Sequence, residues 1–282
     1  MTVLDLSHNQ LSGHLHKSLW YLPHIAEANF QGNTIKGSRF ELFGEYKATA
    51  PIHNILLSEN RLTHVVEILS ALGLLREIHL ISNAFEGKFP NKLTNINKLK
   101  VLHVSYNSGV IGYLLYDIGN MSNLQDIKLS YTSLRDILTL EIGNLSLFQY
   151  LGIYETQLKV PLPEEDGGLN QIFYFSIQNN EADSSKHTDP LPSFSDLVNL
   201  RELYLNVNII TGSIPYNFLV NAITMENLVT VGLNNNNLTG EFSAEIDRFK
   251  KIHIDFQVDK LSNLAEEMFK MKKCNSGMVG TF

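Results

Sequence analysis

Leu228-Val229-Thr230-Val231-Gly232-Leu233-Asn234-Asn235-Asn236-Asn237-Leu238-Thr239-Gly240 decides how the rest of the chain is read. Its frame is L-x-x-L-x-L-x-x-N-x-L-x-G, and the asparagine slot filled by Asn236 returns at Asn9, Asn33, Asn60, Asn83, Asn107, Asn180 and Asn208. Thr132 and Thr156 fill the slot between Asn107 and Asn180, and Asp259 fills it at the end. Subtracting neighbouring positions gives spacings of 23 to 28 residues. A hydrophobic frame repeating in the twenties means units that cannot bury their apolar side alone and must stack as a solenoid. About eleven such units tile residues 1–282 without a linker, so the chain reads as one repeat domain. Its last unit, 253–282, is degenerate.

One unit shows the physics. In Leu75-x-x-Ile78-x-Leu80-x-x-Asn83-x-Phe85-x-Gly87, Ile78 and Leu80 alternate with outward residues, the period of a short strand. Stacked in parallel, such strands bury one face. An inward Asn83 has an acceptor and two donors, enough to bond backbone groups of its own and the adjacent turn. Leaving such buried groups unpaired costs about 1–3 kcal/mol each, so the asparagines are expected to form a ladder. Thr132 and Thr156 offer only a hydroxyl, and the ladder is expected to thin there. Gly13, Gly37, Gly87, Gly212 and Gly240 mark tight bends after the strand. Leu93, Ile118 and Ile142 fill the far wall. Leu261, Leu264, Met268 and Phe269 have helical spacing, which predicts a capping helix at residues 262–273.

The chain resembles the plant-type leucine-rich repeat family, L-x-x-L-x-L-x-x-N-x-L-x-G-x-I-P. The residues that carry the likeness are Leu11-Ser12-Gly13, Ile210-Thr211-Gly212-Ser213-Ile214-Pro215 and Asn237-Leu238-Thr239-Gly240. Asp117-Ile118-Gly119-Asn120 and Glu141-Ile142-Gly143-Asn144 look like that family's returning segment. The resemblance implies an α/β repeat solenoid, a curved right-handed coil with a parallel β-sheet on its concave face. It also implies a binding function, and names no partner.

Composition narrows that function. A net charge of −7 argues against nucleic acid, which needs a basic stripe to release counterions. Ten histidines are scattered without metal-ligand spacing, so no metal site is expected, and no cofactor either. No phosphate loop, nucleophile elbow or kinase set is present, and the chain reads as non-catalytic. Cys274 is the only cysteine, so these residues hold no intrachain disulfide. Met1 falls on the first position of a repeat, with no cap before it. The expectation is a fragment of a longer protein, the alternative being ends capped without disulfides. No apolar run approaches the roughly 18 residues of a membrane span. An extracellular or membrane-anchored ectodomain is the location the resemblance implies, with the cytoplasm as the alternative.

The repeat frame assigns outward strand residues to columns on the concave face. Of eleven tyrosines, six fall in them: Tyr106, Tyr131, Tyr150, Tyr154, Tyr174 and Tyr204. All lie in the fifth to ninth units, and His79 and His103 extend the patch toward the N-terminus. Tyr106 with Tyr131, and Tyr150 with Tyr174, share columns in adjacent units and are expected to stack within about 4.5–7 Å. Tyrosine brings contact area with little entropy loss, so these eight residues form the expected site for a protein or peptide. Stacked columns also stabilise a sheet that binds nothing, which leaves a structural spacer or intracellular adaptor as the other reading. Asn120, Asn144 and Asn237 head N-x-S/T sequons and are glycosylation candidates, the first two on the returning side. Residues 39–50, 181–192 and 217–226 read as loops inserted into long units.

Overall fold

The computed structural model describes residues 2–37, 50–63, 69, 72–89, 91–113, 116–137, 140–159, 168–180, 191–220, 226–241, 253–255 and 261–262. Eleven three-residue strands form one sheet in chain order. They are Val3–Asp5, Glu27–Asn29, Asn54–Leu56, Glu77–His79, Val101–His103, Asp126–Lys128, Tyr150–Gly152, Tyr174–Ser176, Glu202–Tyr204, Thr230–Gly232 and His253–Asp255. Each opens one turn of the coil, numbered first to eleventh below. All pair in parallel and in phase, for example Asp126 with Tyr150 and Tyr150 with Tyr174. In-phase pairing places residues of equal frame position side by side.

The core runs down the inside of the coil. In the middle strands the central residue is fully buried, as with Ile78, Ile127, Leu151, Phe175 and Leu203. Leu93, Ile118 and Ile142 close the opposite wall, each at most 1% exposed. The returning segments at Lys17–Tyr21, Asn91–Asn95, Tyr116–Asn120 and Leu140–Asn144 are short 3-10 helices. A 3-10 helix is wound more tightly and is narrower than an α-helix, which suits a side that must keep pace with strands only about 4.8 Å apart. In the first turn Leu6 and Leu11 are exposed.

The asparagines bridge turns as their donors and acceptor require. Asn83 Nδ2 donates to Leu57 O of the preceding turn at 3.0 Å and to Leu80 O of its own at 3.1 Å, while its Oδ1 accepts from Leu62 N at 3.0 Å. Asn33, Asn60, Asn107, Asn208 and Asn236 repeat this scheme. Asn180 also reaches back, to Ile153 O at 3.0 Å. Asn9, in the first turn, bonds its own Leu6 and Ser7 carbonyls. The residue before each slot is left-handed in ten successive turns: His8, Gly32, Glu59, Ser82, Tyr106, Tyr131, Glu155, Asn179, Val207 and Asn235, with φ between 48° and 68°. That corner turns the chain off the strand and aims its last carbonyls at the asparagine amide.

At the threonines the bridging changes hands. Thr132 Oγ1 donates to Leu129 O within its own turn at 2.8 Å. Thr156 Oγ1 donates forward to Asn180 Oδ1 at 2.8 Å. Buried serines two residues before the slot link these turns instead. Ser105 Oγ accepts from Ser130 N at 3.0 Å; Ser130 Oγ donates to Gly152 O and accepts from Tyr154 N, both at 3.2 Å. A second sheet on the flank is also longest here. Asn107–Tyr113 and Thr132–Ile137 lie between Glu86–Lys88 and Gln157–Lys159, whereas flanking strands elsewhere hold two to four residues.

Some sequence expectations are corrected. Gly13, Gly87, Gly212 and Gly240 have positive φ, but Gly37 does not. It is the last residue of the strand Thr34–Gly37, where an added β-carbon would make only ordinary contact with Leu62 at 3.5 Å, so no bend requires glycine there. Of the expected capping helix at 262–273, Ser262 belongs to a short strand paired with Gly240–Glu241. The rest of that helix lies outside the described residues, as do most of the three inserted loops.

Candidate functional site

The in-phase sheet turns the tyrosine columns into two tracks. Tyr106 and Tyr131 stack at 4.5 Å between ring centroids, and Tyr154 meets Tyr131 edge-on at 5.6 Å. Tyr150 and Tyr174 are parallel within 1° at 4.1 Å, and Tyr204 continues that track at 5.8 Å. Phe173, 38% exposed, adds an edge contact to Tyr150. Phe173 was missed because it stands one place ahead of the strand, outside the columns. Each aromatic pair contributes roughly 0.5–1.5 kcal/mol beyond area burial. Tyr106 and Tyr131 remain 49% and 40% exposed, so the first track is open to a partner. Both occupy left-handed corners, which side chains other than glycine and asparagine visit at a cost.

Three of the hydroxyls, on Tyr150, Tyr154 and Tyr204, are pushed above the ordinary phenol value. Burial, with Tyr174 close by, lifts Tyr150 far above the usual phenol range. Burial raises Tyr154, helped by Tyr106. Burial and the hydrogen bond to Glu202 at 3.0 Å raise Tyr204 to about 12. These three hydroxyls therefore stay neutral and can donate as well as accept.

His79 and His103 lie beside the tracks, their rings edge-on at 4.7 Å. His79 contacts Glu77 at 3.2 Å; burial and the neighbouring His103 hold its pKa below the ordinary 6.5. His103 is buried, 7% exposed, with Nε2 3.0 Å from Asp126 Oδ2. It stands in register between His79 and Lys128. Lys128 spans Asp126 at 4.0 Å and the Tyr150 ring at 4.7 Å, joining the histidine pair to the second track. The sequon residues Asn120, Asn144 and Asn237 are exposed and stand outside the eleven-stranded sheet. Among the described residues there is no group of three His, Cys, Asp or Glu side chains placed to hold a metal ion. No helix among them is long and apolar enough to cross a membrane.

Comparison with known proteins adds relatives to this geometry. Residues 1–22 match the Leucine Rich Repeat family model. Receptor-like protein 18 of Arabidopsis thaliana is 26% identical over 137 residues, 48% of this chain and 16% of that protein. Among solved structures, the plant peptide hormone receptor RGFR1 in complex with RGF2 is 26% identical with a TM-score of 0.62, covering 90% of this chain and 47% of that one. The Arabidopsis receptor kinase HAESA ectodomain, in complex with an extended IDA peptide hormone ligand, is 23% identical with a TM-score of 0.69 over 95% and 48%. The PEPR1–AtPEP1 structure is 21% identical with a TM-score of 0.75 over 99% and 39%. The last two show a shared fold. The chain spans about a sixth of the curated relative's length and less than half of each of these three structures.

Proposed function

We propose that this chain, a leucine-rich repeat protein of the plant receptor-like type, binds a peptide or extended protein segment on the concave face of its fifth to ninth turns. The observation that carries the reading is the pair of tyrosine tracks, six rings gathered on one face and partly exposed. Such rings supply area, hydroxyl partners and little conformational freedom to lose on binding. Peptide complexes among the structural neighbours support the same class of partner. Binding needs no chemistry, and the face is read as a non-catalytic part of a larger receptor-like or secreted protein. Glycans on Asn120, Asn144 or Asn237 would leave it clear.

The spacer reading draws on the 1° parallel stack of Tyr150 and Tyr174, which stabilises the sheet with or without a ligand. The two separate by experiment. Tyr150, Tyr154 and Tyr174 are replaced together by alanine, folding is checked by circular dichroism, and the variant is used in pull-down from native extract. Loss of partner recovery with intact folding is the result expected. Unchanged recovery means the tracks are scaffolding only.

A further inference from the structure

Between strand positions that carry side chains elsewhere, two glycines stand out. The third residue of the strand is Leu56, His79, His103, Lys128 and Tyr204 in the third, fourth, fifth, sixth and ninth turns, but Gly152 in the seventh and Gly232 in the tenth. Neither glycine has the positive φ that would require it. The sheet tolerates bulk at this position, and a glycine inside a strand weakens it. The reason lies in the neighbouring rings.

A β-carbon built on Gly152 comes within 3.1 Å of Tyr150 Cε1 and 3.8 Å of its hydroxyl. The Tyr150 ring therefore reclines along its own strand, over the space left by Gly152. It is held there from several sides: parallel to Tyr174 at 4.1 Å, edge-on to Phe173 at 6.4 Å, and under the Lys128 ammonium at 4.7 Å. Gly232 makes room for a ring of the preceding turn, since an added β-carbon would stand 3.3 Å from Tyr204 Cδ1 and 3.0 Å from Asn206 Oδ1. Ser176, at the equivalent place below Tyr174, is the next smallest choice and is fully buried. Small residues thus appear where the rings lie.

We infer that Gly152, with Gly232 as its counterpart, is a positioning residue of the ligand face. It keeps the Tyr150–Tyr174–Tyr204 track lowered onto the sheet, so that an extended peptide meets ring edges and hydroxyls in one continuous shelf. This rests on the peptide-binding reading above. Glycine contributes nothing to the ligand directly. A side chain in its place lifts Tyr150 off its stack and raises a step in the shelf, while the sheet itself accepts the change.

The test uses the full chain and a dodecapeptide selected on it from a random phage-displayed library. Gly152→Ala and Gly152→Val are compared with Ser176→Ala, and valine at Gly152 favours the strand. Near-ultraviolet circular dichroism reports the coupled Tyr150–Tyr174 rings, thermal unfolding reports the fold, and fluorescence anisotropy reports peptide affinity. Expected is a graded loss, about threefold for alanine and tenfold or more for valine, together with a weakened tyrosine band and unchanged unfolding. Ser176→Ala should leave both signals near wild type. Wild-type affinity in Gly152→Val, whether or not the tyrosine band changes, overturns the inference. The parent reading is tested separately by Tyr150→Ala/Tyr174→Ala. If that variant loses the peptide while Gly152→Val retains it, only the positioning role fails. Retention by both, or a library yielding no peptide, overturns both.

Discussion

The outer turns and the middle turns of this coil solve one problem with different atoms. In the third to fifth turns the amide of Asn60, Asn83 or Asn107 clamps each turn to the one before it, and the open face there carries the His79–His103 pair and the first track ring, Tyr106. In the sixth and seventh turns, Thr132 and Thr156 lack that reach. Ser105, Ser130 and the longer flanking strands take over the linkage, and the concave face above them holds the tyrosine tracks. The stabilising device can therefore be moved from the slot to the strand end and flank without breaking the sheet. What the middle turns gain is a face paved with rings; what they lose is redundancy in their hydrogen bonds.

The largest difference is expected at the slot itself. Asn107 is fully buried and serves Phe85 N, Leu80 O and Val104 O. Asn107→Ala strands those groups and should cost on the order of 3–4 kcal/mol. Thr132→Val gives up a single bond within its own turn and should cost about 1 kcal/mol. Denaturant unfolding of both variants checks the contrast, and equal losses would break it.

The serines should show the reverse order. Ser130→Ala leaves Tyr154 N without its acceptor and removes the donor to Gly152 O, at a cost of roughly 2 kcal/mol. Ser58 accepts from Ile81 N in a stretch where Asn60 and Asn83 already bridge, so Ser58→Ala should cost about half as much. Similar losses at both serines would mean that they do not substitute for the missing amides.

The smallest effect concerns the left-handed corner. Val207 is β-branched with φ of 55°, and Val207→Asn should stabilise by about 1 kcal/mol. Tyr131→Asn relieves a similar strain but gives up stacking on Tyr106 and Tyr154, so its net change should be near zero. Thermal unfolding of the two variants measures whether the tyrosine contacts offset the strain.

Much of this was legible because one frame fixes every residue's side. The turn length, the buried wall and the clustering of Tyr106, Tyr131, Tyr150, Tyr154, Tyr174 and Tyr204 follow from counting around Asn236 and its equivalents. The thinning at Thr132 and Thr156 was also readable, since a hydroxyl cannot do an amide's work. Its replacement was not, because Ser105 and Ser130 stand in columns that the frame marks as outward, yet both are buried. His103, in another outward column, is likewise buried. The left-handed corner was invisible because His8, Glu59, Tyr106 and Val207 share no chemistry. Gly152 and Gly232 were in plain view, but a small residue shows its purpose only when the ring beside it is seen.

The claim that the middle turns carry the ligand is tested most directly by cross-linking. A photoreactive benzoylphenylalanine is placed at Tyr106, on the first track, or at Tyr216, which is 82% exposed on the returning side of the ninth turn. Each chain is irradiated with the selected dodecapeptide. Adducts at position 106, competed by unlabelled peptide and absent at 216, are the result expected. Adducts at 216 with none at 106 would place binding away from the tyrosine face and contradict the account.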